Sequence, residues 1–256
     1  MEPVSLPKKS AQPESLPVNP PSELSGRRHT IAVTPFLRAM SAVIWKDLAA
    51  EWRSRELLSA MLVFALLVIF IFNFALQLDA QARATVTSGV LWVTFTFAGT
   101  LGLNRSMAVE KDRGCLDGLL LAPVDRTAIY FGKALSNLVF MLVVAAIVLP
   151  VYSILYNTNI FIPGLVGVIL LGCLGYVAIG TLLSAMTVQA RTRDILLPIL
   201  LFPVVLPLLV AAVQASSGFL QSQPVDLIIP WLNLLVVYDV IFTAAAFMVF
   251  DFVVEE

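Results

Sequence analysis

The run Glu110-Lys111-Asp112-Arg113-Gly114-Cys115-Leu116-Asp117-Gly118-Leu119-Leu120 places five charges, two glycines and three leucines together in a chain that is otherwise largely apolar. Leu116, Leu119 and Leu120 share one face at i, i+3, i+4 spacing, and Arg113 reaches Asp117 one helical turn on. The spacing predicts a short amphipathic helix. Such a helix presents its leucines to a hydrophobic groove on a soluble partner, while charges at the rim set the orientation. A solvated charged loop is the competing reading of the same composition.

Other chemistry-bearing residues are sparse. No G-x-x-x-x-G-K-[ST] phosphate loop occurs, and Gly132-Lys133 runs on into Ala134 without the upstream glycine, so the chain has no ATP-binding motif of its own. We expect no catalytic, cofactor-binding or metal-binding residue here. His29 is the single histidine, which excludes a bis-histidine iron site within the chain. Met61, Met141, Met186 and Met248 lie in apolar stretches, where methionine packs far more often than it ligates. Cys115 and Cys173 are too few for a disulfide framework, and Cys173, near Gly172, Gly175 and Gly180, reads as a small residue allowing close helix contact. Asp239 is the one acid well inside an apolar stretch, where a carboxylate must face other helices or a cavity. It lines a transport route or plays a structural part.

The elements that must position these residues follow from composition. Of 256 residues, 59% are hydrophobic and only 13% charged, about half the charged share of a soluble domain. The predicted class is an all-α integral membrane protein. Leu57 to Leu78 and Ala84 to Asn104 are uncharged runs of 22 and 21 residues, each sufficient for one crossing. The 57 uncharged residues between Lys133 and Arg191 contain Asn157, Thr158, Asn159 and Pro163 midway, which predicts a helical hairpin. Two further runs follow, the last interrupted by Asp239. Since lipid offers no partner to an unpaired backbone group, the spans must be helices, expected near 57–78, 85–104, 134–156, 161–188, 195–215 and 231–252. Pro198, Pro203 and Pro207 predict a kinked fifth span.

Fifteen of the sixteen Lys and Arg residues fall before the first span, after the second or after the fourth, with only Arg83 in the opposite set. The positive-inside rule then places both termini and the 110–120 run in the cytoplasm. The interval from Asn104 to Lys133, about 30 residues, is longer than a plain connector needs. Residues 1–34, rich in Pro, Ser, Glu and Gln, are expected to form a disordered tail and lack the pattern of a secretory signal peptide. The ordered domain is expected over 35–256. It opens with an amphipathic helix over about 35–55, in which Leu37, Met40, Ile44, Leu48 and Trp52 form a stripe avoided by Arg38, Lys46, Arg53 and Arg55. Lys46, Asp47, Trp52, Arg53 and Glu56 mark it as interfacial; packing on the protein's own core is the alternative.

The run from Val109 to Pro123 resembles the cytoplasmic signature of six-helix ABC exporter permeases, and within that class the chain resembles the CcmB family of cytochrome c maturation permeases, usually called haem exporters. Trp45-Lys46-Asp47-Leu48, Glu51-Trp52-Arg53-Ser54-Arg55-Glu56, Phe70-Ile71-Phe72-Asn73-Phe74, Pro123-Val124-Asp125-Arg126 and Tyr130-Phe131-Gly132-Lys133 carry the same likeness, from residue 36 to about 250. Cys115 departs from the pattern, standing where such permeases commonly carry a small hydroxyl residue.

The resemblance implies a coupling helix on which a CcmA-like ABC ATPase docks, with Glu110, Arg113, Gly114, Leu116, Asp117, Leu119, Leu120 and Pro123 at the interface. It implies CcmC-, CcmD- and CcmE-like haem-handling partners, a second permease copy, the bacterial inner membrane as location and no nucleic acid. ATP enters only through the partner, and haem is the candidate substrate. ATP energy is spent on exporting haem or on releasing the haem-loaded chaperone. A membrane scaffold that transports nothing is the alternative. A secondary transporter fits less well, because no repeated halves are evident and the spans hold one acid.

Overall fold

The computed structural model describes residues 36–75, 80–112 and 126–253. The tail expected to be disordered, residues 1–34, lies outside them. Every regular element among the described residues is a helix: α1 (Phe36–Ser54), α2 (Glu56–Ala75), α3 (Ala80–Asp112), α4 (Arg126–Tyr156), α5 (Pro163–Thr187), α6 (Arg193–Leu220) and α7 (Val225–Val253). The last six are long and apolar enough to cross a membrane, and the chain is a multi-pass membrane protein.

The helices overrun the expected spans where charge had set the limits. α3 continues about two turns beyond Asn104 to Asp112, and α4 begins at Arg126 rather than 134. The interval between them is 113–125, not the 30 residues expected from the charge gaps. The cause is burial of the charges themselves: Lys133 and Glu110 are enclosed by opposite charges, so neither ends its helix. α7 begins six residues earlier than expected, with Asp226 in its first turn, where the helix dipole favours an acid. Pro198, Pro203 and Pro207 all lie within the single element α6. Tyr238 on α7 donates its hydroxyl to the Val204 carbonyl at 3.1 Å, tying α7 to this proline-rich stretch of α6.

α1 and α2 are joined by Arg55 alone, in the left-handed region at φ 56°. Its N–H still bonds to the Glu51 carbonyl at 2.7 Å, and its carbonyl accepts from Ser59 at 3.1 Å, so the corner is tight and hydrogen-bonded. The α4–α5 turn is the predicted one. Asn157 takes φ 50°, the Asn159 side chain accepts from the Phe161 N–H at 3.1 Å, and Pro163 opens α5.

α3 and α5 are the most enclosed helices, and α5 packs on α3, α4, α6 and α7. In α2 only Leu57, Met61, Ala65 and Ile69 are buried, a row at steps of four that faces the bundle. Leu58, Leu62 and Phe72 pack partly against the core, while Val63, Phe64, Leu67, Phe70, Ile71 and Phe74 are exposed, as lipid permits. Lipid tails remove the hydrophobic gain of helix association, so close contact and interhelical hydrogen bonds must hold the bundle. Trp92 Nε1 donates to Ser216 Oγ at 2.9 Å, tying α3 to α6. The Tyr176 hydroxyl donates to the Thr96 carbonyl at 2.7 Å, tying α5 to α3. The Tyr130 hydroxyl donates to the Ala178 carbonyl at 2.8 Å, and Asn137 Nδ2 to Thr181 Oγ1 at 3.1 Å, tying α4 to α5. Gly172 receives the Trp92 ring where a Cβ would stand.

Candidate functional site

α1 lies along α4, and Gly132 makes the approach possible, since a Cβ there would stand 2.8 Å from the Val43 Cβ. The face α1 buries is the row Ala39, Val43, Asp47 and Glu51 at steps of four, beside the apolar stripe rather than on it. Met40, Ile44 and Leu48 of the stripe are half-buried, while Leu37 and Trp52 at its ends are 69% and 81% exposed. α1 thus packs on the protein and still offers apolar surface outward.

That packing brings two acids into contact with charges from other helices. Lys133 Nζ of α4 lies 3.0 Å from Asp47 Oδ2 of α1 and 3.1 Å from Glu110 Oε1 of α3. Lys46 of α1 lies 3.3 Å from Asp47 Oδ1 and also pairs with Glu110. Two ammoniums and two carboxylates thus alternate in a closed, neutral ring, with Lys133, Asp47 and Glu110 all buried. Mutual pairing is what permits charge at such depth; each ion alone would cost several kcal/mol to bury. Burial opposes the charge on Lys46, yet Asp47 and Glu110 outweigh it and hold its ammonium above the ordinary lysine range. The stabilisation linked to that shift is complete below the ordinary lysine titration and is lost as pH rises through the higher folded value.

Glu51, a turn beyond Asp47, accepts the Leu58 N–H at 2.8 Å and so caps the start of α2. Arg105 of α3 pairs with Glu56 of α2 at 2.6 Å on the outer side. Between these groups lies a cavity of about 260 Å³, lined in part by Lys46, Glu51, Arg105, Ser106 and Lys133. Beyond the ring, Arg193 makes two parallel hydrogen bonds to Asp112 at 3.1 and 3.3 Å, and Asn104 Nδ2 donates to Asp194 Oδ1 at 2.8 Å. The end of α3 is thereby joined to the start of α6 as well as to α1 and α4.

Of the residues singled out from sequence, Lys46, Asp47 and Glu110 meet in the ring and Glu56 stands at its edge. Trp52 and Arg53 are exposed on the far side of α1. Glu110, read as part of the partner interface, has its side chain buried in the last turns of α3 and occupied by two lysines. Arg113, Gly114, Leu116, Asp117, Leu119, Leu120 and Pro123, and the leucine-faced helix expected there, lie outside the described residues. Asp239 stands apart, buried where a Cβ on Gly175 of α5 would meet its Oδ1, with no hydrogen-bond partner on either oxygen among the described residues. Sequence reasoning did not single out Lys133, which had served as a span limit and as one end of the Tyr130-Phe131-Gly132-Lys133 likeness, nor Glu51 and Arg105 as site residues. The available signal was that Asp47 and Glu51 repeat the Ala39, Val43 step of four, placing two acids on a helix face otherwise made of small apolar residues. No cluster of three or more His, Cys, Asp or Glu side chains that could hold a metal occurs among the described residues.

The sequence model of the CcmB protein family matches residues 38–251, spanning α1, the charge ring and all six membrane helices. The chain belongs to the CcmB family. Proteins named heme exporter protein B are similar to it along most of their length. That of Paracoccus denitrificans is 28% identical over 192 residues, covering 74% of this chain and 88% of its own. That of Rhodobacter capsulatus is 28% identical over 174 residues, covering 67% and 79%. That of Escherichia coli is 26% identical over 183 residues, covering 70% and 82%. The CcmB match includes segment 113–125 and both helices that flank it, and with them all four residues of the ring.

Proposed function

We propose that this CcmB-family chain is the membrane-spanning subunit of a haem exporter driven by a separate ABC-type ATPase. The charged end of the bundle faces the cytoplasm of a bacterium, both termini lie on that side, and the membrane is the inner one. The observation that carries the reading is the ring: it joins α1 to the last turns of α3 and the first turns of α4, the two helices between which segment 113–125 is strung. A force applied to that segment by a docked ATPase reaches both helices and α1 together, because withdrawing Glu110 or Lys133 from the ring leaves its buried charge unbalanced. The names of the relatives support haem as cargo. With one histidine in the chain, ligation of the iron falls to CcmC-, CcmD- and CcmE-like partners. Hydrolysis then drives haem outward or frees the loaded chaperone.

The test is co-purification with all co-expressed maturation subunits, followed by ATPase and haem assays. Leu116→Glu with Leu119→Glu is expected to remove the ATPase from the preparation, or to cut its turnover at least tenfold, while the six-helix body remains folded. Retention of the ATPase at parental turnover overturns the coupling and leaves a scaffold. Asp239 is proposed to line the cargo's route, since a buried carboxyl with neither oxygen bonded is the kind of group a packing role does not require. Asp239→Asn keeps its shape; it is expected to fold as the parent does and to lower cytochrome c maturation several-fold in cells. Unchanged maturation and ATP turnover would remove it from the route.

A further inference from the structure

The cavity beside the ring has a polarity from floor to mouth. Its floor holds Asp47, Glu110 and Lys133, each with a side chain less than a tenth exposed, together with Glu51 at 8%. Its mouth holds Lys46 and Arg105, with side chains 42% and 43% exposed, and Glu56 at 59%. Within the ring, two ammoniums balance Asp47 and Glu110, and at the mouth Arg105 balances Glu56. Glu51 is what remains: a buried carboxylate whose hydrogen bond is to a backbone N–H and which has no cationic partner among the described residues. A charge at that depth demands compensation beyond one amide. The cavity's volume of about 260 Å³ far exceeds the ~10–15 Å³ a single water occupies on the same measure.

Glu51 therefore asks for a cation at the floor, while at the mouth Arg105, which gives Glu56 a single guanidinium nitrogen, and the half-exposed Lys46 keep N–H donors free for an anion behind it. We infer that this cavity binds a phosphoethanolamine group, its primary ammonium against Glu51 and its phosphate at the mouth against Arg105 and Lys46. A primary ammonium carries three N–H donors for carboxylate oxygens, and the Arg105 guanidinium offers a fork that suits a phosphate. Ser106, on the wall, adds a hydroxyl that has no partner among the described residues. Two sources present this chemistry: the headgroup of a membrane phosphatidylethanolamine, or a soluble phosphoethanolamine ester. The lipid approaches head-first in the required order, ammonium leading and phosphate following. The level of the mouth suits it as well, because α1 carries Trp45 and Trp52, 75% and 81% exposed, directly before Lys46 and directly after Glu51. Exposed tryptophans on an amphipathic helix belong at the headgroup level of a bilayer.

The test is native mass spectrometry of the full chain in detergent, supplied in parallel with phosphatidylethanolamine, phosphatidylglycerol or phosphatidylcholine of the same acyl chains, and separately with O-phosphoethanolamine. Phosphatidylethanolamine is expected to be retained at least tenfold more than phosphatidylglycerol, which lacks the cation, and more than phosphatidylcholine, whose quaternary ammonium has no N–H. Glu51→Gln keeps an acceptor for the Leu58 N–H, and it is expected to lower that retention about tenfold. Arg105→Gln, at the exposed mouth and so the safer variant for folding, is expected to lower it as well. Retention of O-phosphoethanolamine with no preference among the lipids would keep the site and assign it to the soluble ester. Equal retention of all three lipids with no binding of O-phosphoethanolamine overturns the proposal, and so does parental retention in folded Glu51→Gln and Arg105→Gln proteins.

Discussion

Lys133→Met is expected to cost about 3–5 kcal/mol of stability, the range for removing one partner of a buried ion pair. Lys133 Nζ touches both Asp47 and Glu110, and without it the single ammonium of Lys46, itself partly exposed, faces two buried carboxylates. Methionine fills the volume and rejoins the apolar surroundings, so the loss is one of charge balance rather than packing. Adding Asp47→Asn restores neutrality, because Lys46 and Glu110 remain as a pair. The double variant is therefore expected to recover most of the loss, a coupling of at least ~2 kcal/mol in a double-mutant cycle. Denaturant unfolding of the four proteins in one detergent measures it. Strictly additive losses would show that the ring does not act as a unit, and with that the mechanical part assigned to it would fail. Asp47→Asn alone should be the milder single change, since it leaves two cations with one carboxylate at the side of the ring that water reaches through Lys46.

Gly175→Val is expected to destabilise the bundle by about 3 kcal/mol, the upper end of what overpacking costs. A Cβ at this position runs into Asp239 Oδ1 and comes within 2.9 Å of Leu208 Cδ1, so α5 cannot stay in register with α6 and α7 unless one of them moves. Gly167 on the same helix supplies the control, because nothing lies within 4 Å of a Cβ built there. Gly167→Val is expected to stay within ~0.5 kcal/mol of the parent. Trimming the opposing side chain with Asp239→Ala in the Gly175→Val background should return a good part of the loss by admitting the new methyl groups. Thermal unfolding of the detergent-solubilised proteins, with tryptophan fluorescence as readout, separates these outcomes. If Gly175→Val and Gly167→Val unfold alike, the α5–α7 contact is looser than the close fit of Gly175 on Asp239 requires.

The two sites differ in how far they could be foreseen. Asp239 stood out because hydrocarbon on both sides makes any acid conspicuous, but which helix it would touch was beyond reach, since Gly175 lies 64 positions earlier and only the fold brings them together. Lys133 misled: it ended a long uncharged run, and a charge at the edge of such a run is normally taken as the limit of the membrane. Here α4 begins almost two turns before it, because the cation is matched by acids from α1 and α3.

Composition and the spacing of charges were sufficient to determine an all-helical membrane chain with six crossings, the hairpin turn at Asn157 and an amphipathic leading helix, since each depends only on local periodicity and on lipid's refusal of unpaired backbone. The partners of each charge, the approach of α1 over Gly132 and the cavity with Glu51 at its floor were decided by tertiary structure alone. Lys133, Asp47 and Glu110 are separated by 23 to 86 positions, and pairing at that distance follows from which helix faces meet, a property that no local pattern encodes.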